Sequence, residues 1–552
     1  MSLKPAVIQP VPEETARVAR AAFRKGNPLL QLRDELGTIF SDEGFADLFP
    51  RLGQPGLPPW RLALVTNLQF RENLPDRQAA EAVRARIAWK YLLGLELADP
   101  GFDHSVLCEF RSRLLEGRAE ERLLGKLLDA CRARGLLKAR GRQRTDATHV
   151  LASIRVLNRL ELLGETLRAA LNELATVAPD WLRALAPVAW YERYGARVEN
   201  YDLPKSDAER HQLAAVIGAD GRQLLQAIET ADRPELGTLP AVTILRRVWD
   251  EQYVETAGQV ALRAIEAMPS PATVIASPYD AEARYSSRRG MAWVGYRVQL
   301  TETCDPDLPS LIVNVETTPA TTPDDTMLAV VHASLAKRDL LPDEHLVDKG
   351  YTDSRVLVDS PQRFGVEIVG PVAEDPSWQA HTSDGFDKTA FTIDWDRQTV
   401  TCPAGRQSFS WSPHTYAKND MAFEVRFSRK DCTPCPLRAR CTRAKREPRI
   451  IRLQAREQHE ALRAARERQA TPTFRERYAA RAGIEATHAQ AVRRSGLRNS
   501  RYLGLAKTHL QHVATAVAIN LVRLGEWWAG HAKAPTRRSH FAALNPAMTV
   551  AA

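Results

Sequence analysis

The segment 474–524 has the composition of a helix, and it carries three polar side chains at helical spacing. It contains no proline and is rich in Ala, Arg and Leu, which favours a helix. Tyr478, Arg481 and Glu485 recur at i, i+3 and i+7, and this spacing predicts that they share one face of that helix. Glu485 beside Arg481 is either a solvated surface ion pair or a metal ligand whose partners come from elsewhere in the chain.

Composition limits the class of protein. The chain has 552 residues and a net charge of +9, which favours a polyanionic partner and leaves room for several domains. The N-terminal residues carry no signal-peptide pattern, and the apolar run Val513–Val522 is too short to span a bilayer. We therefore expect a cytoplasmic protein without membrane contact, whose seven cysteines are reduced.

The first 140 residues show helical periodicity. The segments Ala79–Leu95 and His104–Leu115 each carry an apolar face, with arginines on the other side. Short helices of this kind predict either a DNA-binding module of the helix-turn-helix type or a helical bundle that its arginines only solvate. Residues 157–270 are again rich in Leu, Ala, Glu and Arg, and they predict an insertion of four helices.

Strand patterns surround two aspartates. A short strand is predicted around Gln143–Thr148, and Asp146 lies in it although aspartate is disfavoured in strands. A second strand ends at Asp348, which is followed by a glycine turn. Each aspartate is either a turn or capping residue or a metal ligand. The other predicted elements are the strands Trp293–Thr301, Leu311–Glu316 and Val366–Val369 and the helix Asp324–Leu340.

The resulting order without insertions is β-β-β-α-β-α-β-α. One mixed sheet with this order can bring Asp146, Asp348 and Glu485 together. Hard cations such as Mg²⁺ or Mn²⁺ prefer carboxylate oxygens, and two such ions are sufficient for phosphoryl transfer. The three carboxylates therefore predict a two-metal site that needs no histidine or cysteine ligand.

Four cysteines form a second constellation. Cys402, Cys432, Cys435 and Cys441 have the spacing C-x29-C-x2-C-x5-C, which suits a structural Zn²⁺ site but is looser than in common zinc fingers. Reduced cysteines packed in a small domain are the alternative.

Basic residues cluster in two places. Arg426–Arg449 holds nine Lys or Arg against two acids, and 493–507 holds five against none. Such runs are usually solvated faces, but beside an active site they would neutralise DNA phosphates. Trp411, Tyr416 and Phe427 are interleaved with the first run, and they either stack on bases or pack a small core. The candidates in the second run are Arg493, Arg494, Arg498, Arg501 and Lys507.

Five motifs in order carry a family resemblance. TDATHV, VDKGY and Y-x2-R-x3-E, together with DAEARYSSRRGMAWVGYRVQLTET and CPLRARCT, resemble bacterial insertion-sequence transposases of the DDE class. The N-terminal FRENLPDRQAAEAVRARIAWKYLLGL is similar to that group's N-terminal domain. Related transposases often carry a lysine shortly after the glutamate, where this chain has Val492 followed by Arg493 and Arg494.

The resemblance implies an α/β (α+β) fold. Its ribonuclease-H-like, five-stranded mixed sheet would be interrupted by a helical and a Cys-containing insertion, and a helical domain would precede it. Asp146, Asp348 and Glu485 would be the catalytic triad that binds two Mg²⁺ or Mn²⁺ ions, while Tyr478 and Arg481 would contact DNA. The expected regions are the helical domain 1–140, the core parts 141–156, 271–372 and 473–528, the insertions 157–270 and 373–472, and the flexible tail 529–552.

The resemblance also implies the activity. A transposase of this class would bind the terminal inverted repeats, cleave the DNA ends and transfer the 3′-OH strands to target DNA, as a dimer assembled on double-stranded DNA. Two alternatives stay open from the sequence. One is a catalytically inactive protein that only binds inverted repeats, and the other is a nuclease without strand transfer.

Overall fold

A computed structural model describes most of the chain. The residues outside the described set are 1, 6, 257–258, 289, 416–420, 532–540, 542–543 and 545–552. Tyr416 and most of the predicted tail 529–552 therefore lie outside the described residues.

The N-terminal region is helical, as predicted, and its described residues form seven α-helices. They are α1 (Glu13–Ala22), α2 (Pro28–Leu36), α3 (Pro59–Arg71), α4 (Asp76–Ala85), α5 (Ile87–Leu93), α6 (Ser105–Glu116) and α7 (Glu121–Arg132). The Asn27 side chain caps α2 by accepting from the Leu29 amide, and Pro28 occupies the first turn. Every residue of α3 except Arg61 and Arg71 is buried, so this helix lies at the centre of the region.

A long strand and a helical insertion follow. They comprise β1 (Arg140–Leu151), α8 (Arg159–Val177), α9 (Pro179–Leu185), α10 (Val188–Tyr194), α11 (Asp207–Thr230), α12 (Pro240–Gln252), β2 (Tyr253–Thr256) and β3 (Gln259–Leu262). The prediction of four helices was wrong: the described part of the insertion has five, two of them short, with Pro179 as the first residue of α9 and Pro187 as the N-cap of α10. Asn158 and Glu161 form a capping box at the start of α8.

The main sheet is built from β1 and the strands after the insertion. In chain order the elements are β4 (Arg284–Arg288), β5 (Met291–Thr303), β6 (Ile312–Pro319), α13 (Met327–Lys337), β7 (Pro342–Val347), α14 (Ser354–Phe364) and β8 (Glu367–Val369). The strand order is β4-β5-β1-β7-β8, and β6 also pairs with β5. The pair β5–β1 is antiparallel, whereas β1–β7 and β7–β8 are parallel.

This mixed sheet confirms the predicted ribonuclease-H-like core, with one difference. The sheet has six strands rather than five, because β4 and β5 form an additional hairpin. Gly290 lies in the turn of that hairpin with φ +80°, a backbone conformation that side-chain-bearing residues rarely adopt.

The Cys-containing insertion forms two small sheets. Its elements are β9 (Thr392–Asp394), β10 (Thr399–Thr401), β11 (Ser410–Thr415), β12 (Met421–Arg426), α15 (Arg429–Cys432), α16 (Arg438–Cys441) and β13 (Ile450–Gln454). The strands pair as β10–β9 and β11–β12–β13. Phe427, for which base stacking and core packing were the two alternatives, is buried in the core of this insertion, and Trp411 packs against that core.

The C-terminal region is helical but less continuous than predicted. It contains α17 (Arg456–Gln469), α18 (Pro472–Ala479), a 3-10 turn (Ala480–Ala482), α19 (Gly483–Ser495) and α20 (Leu505–Trp528). The expectation of one helix through Tyr478, Arg481 and Glu485 was therefore wrong. Arg144 donates to the carbonyl oxygen of Ala480 and packs against Gly483, which interrupts the helical hydrogen-bond ladder at this point.

Helix α20 packs between the N-terminal helices and the main sheet. It packs against α3, α7 and α2 on one side and against β6 on the other, so N-terminal helices and sheet share one apolar core. Asn520 fixes the helix to the sheet by pairing with both backbone groups of Ile312. In the described part of the chain, no helix is long and apolar enough to cross a membrane.

Candidate active site

Three elements bring the predicted carboxylates to one edge of the sheet. Asp146 lies on β1, and Asp348 directly follows β7. The parallel register places Thr145 opposite Val347, so the two aspartates are the next residues on neighbouring strands. Glu485 lies in the first turn of α19, which packs against β1.

The Arg481 guanidinium lies between the three carboxylates. Its Nη2 is 2.7 Å from Asp146 Oδ2 and 3.9 Å from Asp348 Oδ2, and its Nη1 is 2.8 Å from Glu485 Oε1. Arg481 is only 12% exposed, whereas Glu485 is 69% exposed. One positive charge thus holds three negative groups around a common point.

Burial makes the negative charges of this carboxylate cluster less favourable. The pKa of Asp146 is raised, mainly by burial and further by Asp348 and Glu485, while Arg481 opposes the rise. Tyr351 lies close by, and burial together with neighbouring carboxylates raises the pKa of its hydroxyl well above the ordinary value. Any additional positive charge at this edge would therefore relieve repulsion between the carboxylates.

The carboxylates open into a cleft of about 410 Å³. Its polar lining combines the three acids with four arginines, which are Arg288, Arg297, Arg481 and Arg498. His149 also lines the cleft, and its ring lies 5.5 Å from that of Trp293. The sequence did not reveal Arg288 or Arg297 as site residues, although both lie in the motif DAEARYSSRRGMAWVGYRVQLTET.

The predicted DNA-contact residues separate into two groups. Arg498 reaches the cleft, where its Nε donates to Thr148 Oγ1 at 3.1 Å, and its carbonyl oxygen accepts from Leu151 at the end of β1. Tyr478 stacks on Phe474 within α18, and neither lines the cleft.

The other predicted basic residues lie outside the cleft lining. Arg493 and Arg494 are exposed in the last turn of α19, and Lys507 is exposed on α20. Arg501 donates to the Leu74 carbonyl oxygen at 2.9 Å and packs over Phe70, so it holds the N-terminal helices.

The four predicted zinc ligands also converge. Cys402, Cys432, Cys435 and Cys441 line one small pocket in the insertion, and all are free thiols. Burial, together with the other three thiols, raises the pKa of Cys441 to about 11, although Arg449 opposes the rise. Among the described residues, however, no group of three or more His, Cys, Asp or Glu side chains is close enough to hold a metal ion as it stands.

The mixed sheet and its acidic cleft define a ribonuclease-H-like protein with three convergent carboxylates. Two family models match the chain: a transposase DDE domain over 401–525 and a transposase domain, DUF772, over 17–113. These matches confirm the resemblance to insertion-sequence DDE transposases at both ends of the chain, and they support a DNA-cleaving transposase. No curated protein and no solved structure matches the chain.

Proposed function

We propose that the chain binds the terminal inverted repeats of an insertion sequence, cleaves the DNA ends and joins the released 3′-OH strands to target DNA. The convergence of Asp146, Asp348 and Glu485 on one cation, Arg481, carries this proposal. The cleft is bordered by further arginines, which suit a polyanionic substrate.

The donor set fits divalent cations. Carboxylate oxygens are the ligands that Mg²⁺ and Mn²⁺ prefer, and the three acids already surround a positive group. Two bound ions would supply an activated attacking oxygen and would neutralise charge on the leaving oxygen. The carboxylates would have to draw closer together than they stand, since no described group is close enough to hold an ion.

The chain's own residues would orient the DNA. Arg481 keeps Asp146 and Glu485 aimed at the cleft, and both of its Nη atoms are already engaged. Arg498 is anchored to the end of β1 and can direct its remaining donors to a phosphate. Each transfer exchanges one phosphodiester bond for another without a covalent link to the protein.

The partners follow from the same proposal. The N-terminal helices would hold the inverted repeats, because their matched region is a transposase domain separate from the DDE match. Two DNA ends must be cut together, so the active form would be a dimer assembled on double-stranded DNA in the cytoplasm.

Cleavage and joining can be tested in one assay. Purified protein is incubated with Mg²⁺, a labelled duplex carrying the element's end and a supercoiled target plasmid, beside a Glu485→Gln control. The proposal predicts cuts at the element boundary and labelled plasmid, both lost in the control. Cutting without labelled plasmid would indicate a nuclease, and gel-shifted but unbroken DNA would indicate an inactive binding protein.

A second metal is proposed for the Cys-containing insertion. We propose that Cys402, Cys432, Cys435 and Cys441 hold one structural Zn²⁺ as thiolates, because cysteines from two separate segments line the same pocket. The ion would keep the Cys402 turn and the 432–441 loop together, since the insertion has only a small apolar core.

Metal content tests the zinc proposal directly. Elemental analysis of purified protein should give one Zn per chain, and Cys432→Ser combined with Cys435→Ser should remove it. Cys108→Ser is the matched control, because this exposed cysteine lies outside the insertion. Absence of Zn from a protein whose insertion resists proteolysis would contradict the proposal.

A further inference from the structure

A second arginine–carboxylate system lies behind the acidic cleft. Asp324 begins the 3-10 turn Asp324–Thr326 that leads into α13, and its Oδ2 accepts from Arg297 Nη2 at 2.7 Å. Arg288 Nη1 lies 3.5 Å from the same oxygen. The sequence assigned Asp324 only as the start of a helix, so this contact is new information from the fold.

Asp324 is connected to the predicted metal site without lining the cleft. It is 8% exposed, whereas both arginines that contact it belong to the cleft lining. A Cβ atom at Gly350 would lie 3.0 Å from Asp348 Oδ1 and 3.4 Å from Asp324 Oδ2, so the two carboxylates flank the same backbone position. Asp324 therefore contacts the two arginines from the side that faces away from the cleft, while the arginines themselves line the cleft.

Arg297 is held on two sides, and its hydrogen bonds to other described residues use only part of its donor capacity. Its Nη1 donates to the Thr322 carbonyl oxygen at 2.9 Å, and its Nη2 donates to Asp324. A guanidinium has five N–H donors in a rigid plane. The antiparallel register places Arg297 opposite His149, three positions along β1 from Asp146, and both Arg297 and Asp146 line the cleft.

DNA binding in the acidic cleft requires a positive group that is available to a phosphate. Three carboxylates repel a DNA backbone, and Arg481 is already engaged by them. A planar guanidinium binds phosphate with two parallel hydrogen bonds when its orientation is fixed. Arg297 has a fixed orientation, and Arg288 is 48% exposed.

We propose that Asp324 is a positioning residue that fixes Arg297, with Arg288 beside it, as a clamp for a DNA phosphate next to the cleaved bond. The inference rests on the proposed function, because it places DNA in this cleft. Arg297 is the residue that touches the substrate, and Asp324 acts through it.

Asp324→Asn separates positioning from simple charge. Removing a negative charge beside the cleft would by itself tighten DNA binding. Loss of positioning would weaken it instead, by about threefold to tenfold for a weakened charge-assisted contact. Binding is measured in EDTA with a duplex that carries the element's end, so that no cleavage occurs. Binding by Asp324→Asn that equals or exceeds wild type would overturn the inference.

Salt dependence identifies the phosphate contact. A plot of log K for DNA binding against log salt concentration has a negative slope. Arg297→Gln should reduce the magnitude of that slope by about 0.9, the value for one lost phosphate contact on duplex DNA. Arg297→Lys should keep most of that slope, yet cleave more slowly than wild type, because an ammonium ion lacks the planar fork. Arg183→Gln is the matched control, because it removes an equal charge from an exposed pair on the helical insertion.

Folding defects and a failure of the proposed function remain distinguishable. If Arg297→Gln unfolds, Arg288→Gln serves in its place, since its half-exposed side chain is easily replaced. If Arg297→Gln reduces the salt dependence of DNA binding but the wild-type protein does not cut DNA, the clamp is supported and the proposed cleavage is refuted. An unchanged slope for both variants, with cleavage intact in wild type, would overturn the clamp alone.

Discussion

The imidazole of His488 donates from Nε2 to the backbone carbonyl oxygen of Asp146 at 3.2 Å. His488 lies three residues after Glu485, so this bond ties the helix that carries Glu485 to the strand that carries Asp146. It is one of the contacts that keep two of the three carboxylates in register.

Replacing His488 should therefore impair cleavage more than folding. His488→Ala is expected to cost about 1–3 kcal/mol of unfolding free energy, from one lost hydrogen bond and a small cavity. Cleavage rates at fixed DNA saturation should fall further than this loss explains. His211→Ala is the matched control, because that exposed histidine also contacts a backbone carbonyl oxygen, that of Asp207. Equal cleavage by wild type and His488→Ala would refute the positioning role.

A buried histidine pair should make the core sensitive to acid. His332 Nε2 and His345 Nδ1 are 2.9 Å apart, and His345 Nε2 is 2.6 Å from Thr145 Oγ1. Burial lowers the pKa of His332 to about 4, so the folded protein keeps it neutral while the unfolded chain binds a proton below about pH 6.5. Stability should thus fall as pH drops from about 6.5 towards 4, by up to about 3 kcal/mol for this residue.

Urea unfolding at pH 7.5 and pH 5 measures this effect. His332→Gln should show a smaller loss of unfolding free energy between the two pH values than wild type. The same loss in both proteins would mean that His332 does not contribute.

A buried carboxylate beneath the site should contribute strongly to the stability of the fold. Glu302 is fully buried and pairs with Arg144 and Arg523, each at 2.6 Å. Glu302→Ala leaves two arginines without their partner, at a cost of about 3–5 kcal/mol. Chemical denaturation measures the loss. Glu447→Ala, which removes an exposed partner of Arg429, should cost less than about 1 kcal/mol. Similar losses for the two variants would contradict this ranking.

The interruption before α19 should not tolerate a methyl group. A Cβ atom at Gly483 would overlap the Arg144 guanidinium. Gly483→Ala should therefore displace Arg144 and cost about 1–3 kcal/mol, with slower cleavage. Gly125→Ala is the matched control, because nothing lies within 4 Å of its added Cβ and the helix should gain up to about 1 kcal/mol. Thermal unfolding of both variants measures the difference, and a stable Gly483→Ala protein would refute the argument.

The carboxylate positions could be predicted because each has a local signal. Asp146 is an acid within a strand pattern, Asp348 ends a strand before a glycine, and Glu485 follows Arg481 at helical spacing. Each of these signals can be seen in the local sequence, without knowledge of tertiary packing.

Other features depend on contacts across hundreds of residues. Arg297 reaches the cleft only because β5 pairs with β1 in one register, and a shift by one residue would turn it to the other face. The interruption at Ala480 arises from Arg144, which is 336 residues away. A sequence pattern in either segment alone cannot encode these contacts.

The most direct test of the three-carboxylate site is the Mg²⁺-dependent cleavage rate of single carboxamide variants. Asp146→Asn, Asp348→Asn and Glu485→Gln should each lower cleavage by at least about a thousandfold, on the order of an essential catalytic group, while binding DNA at least as tightly as wild type. Asp384→Asn, at an exposed ion pair with Arg440, should cleave normally. Near-wild-type cleavage by any one of the three variants would contradict the account.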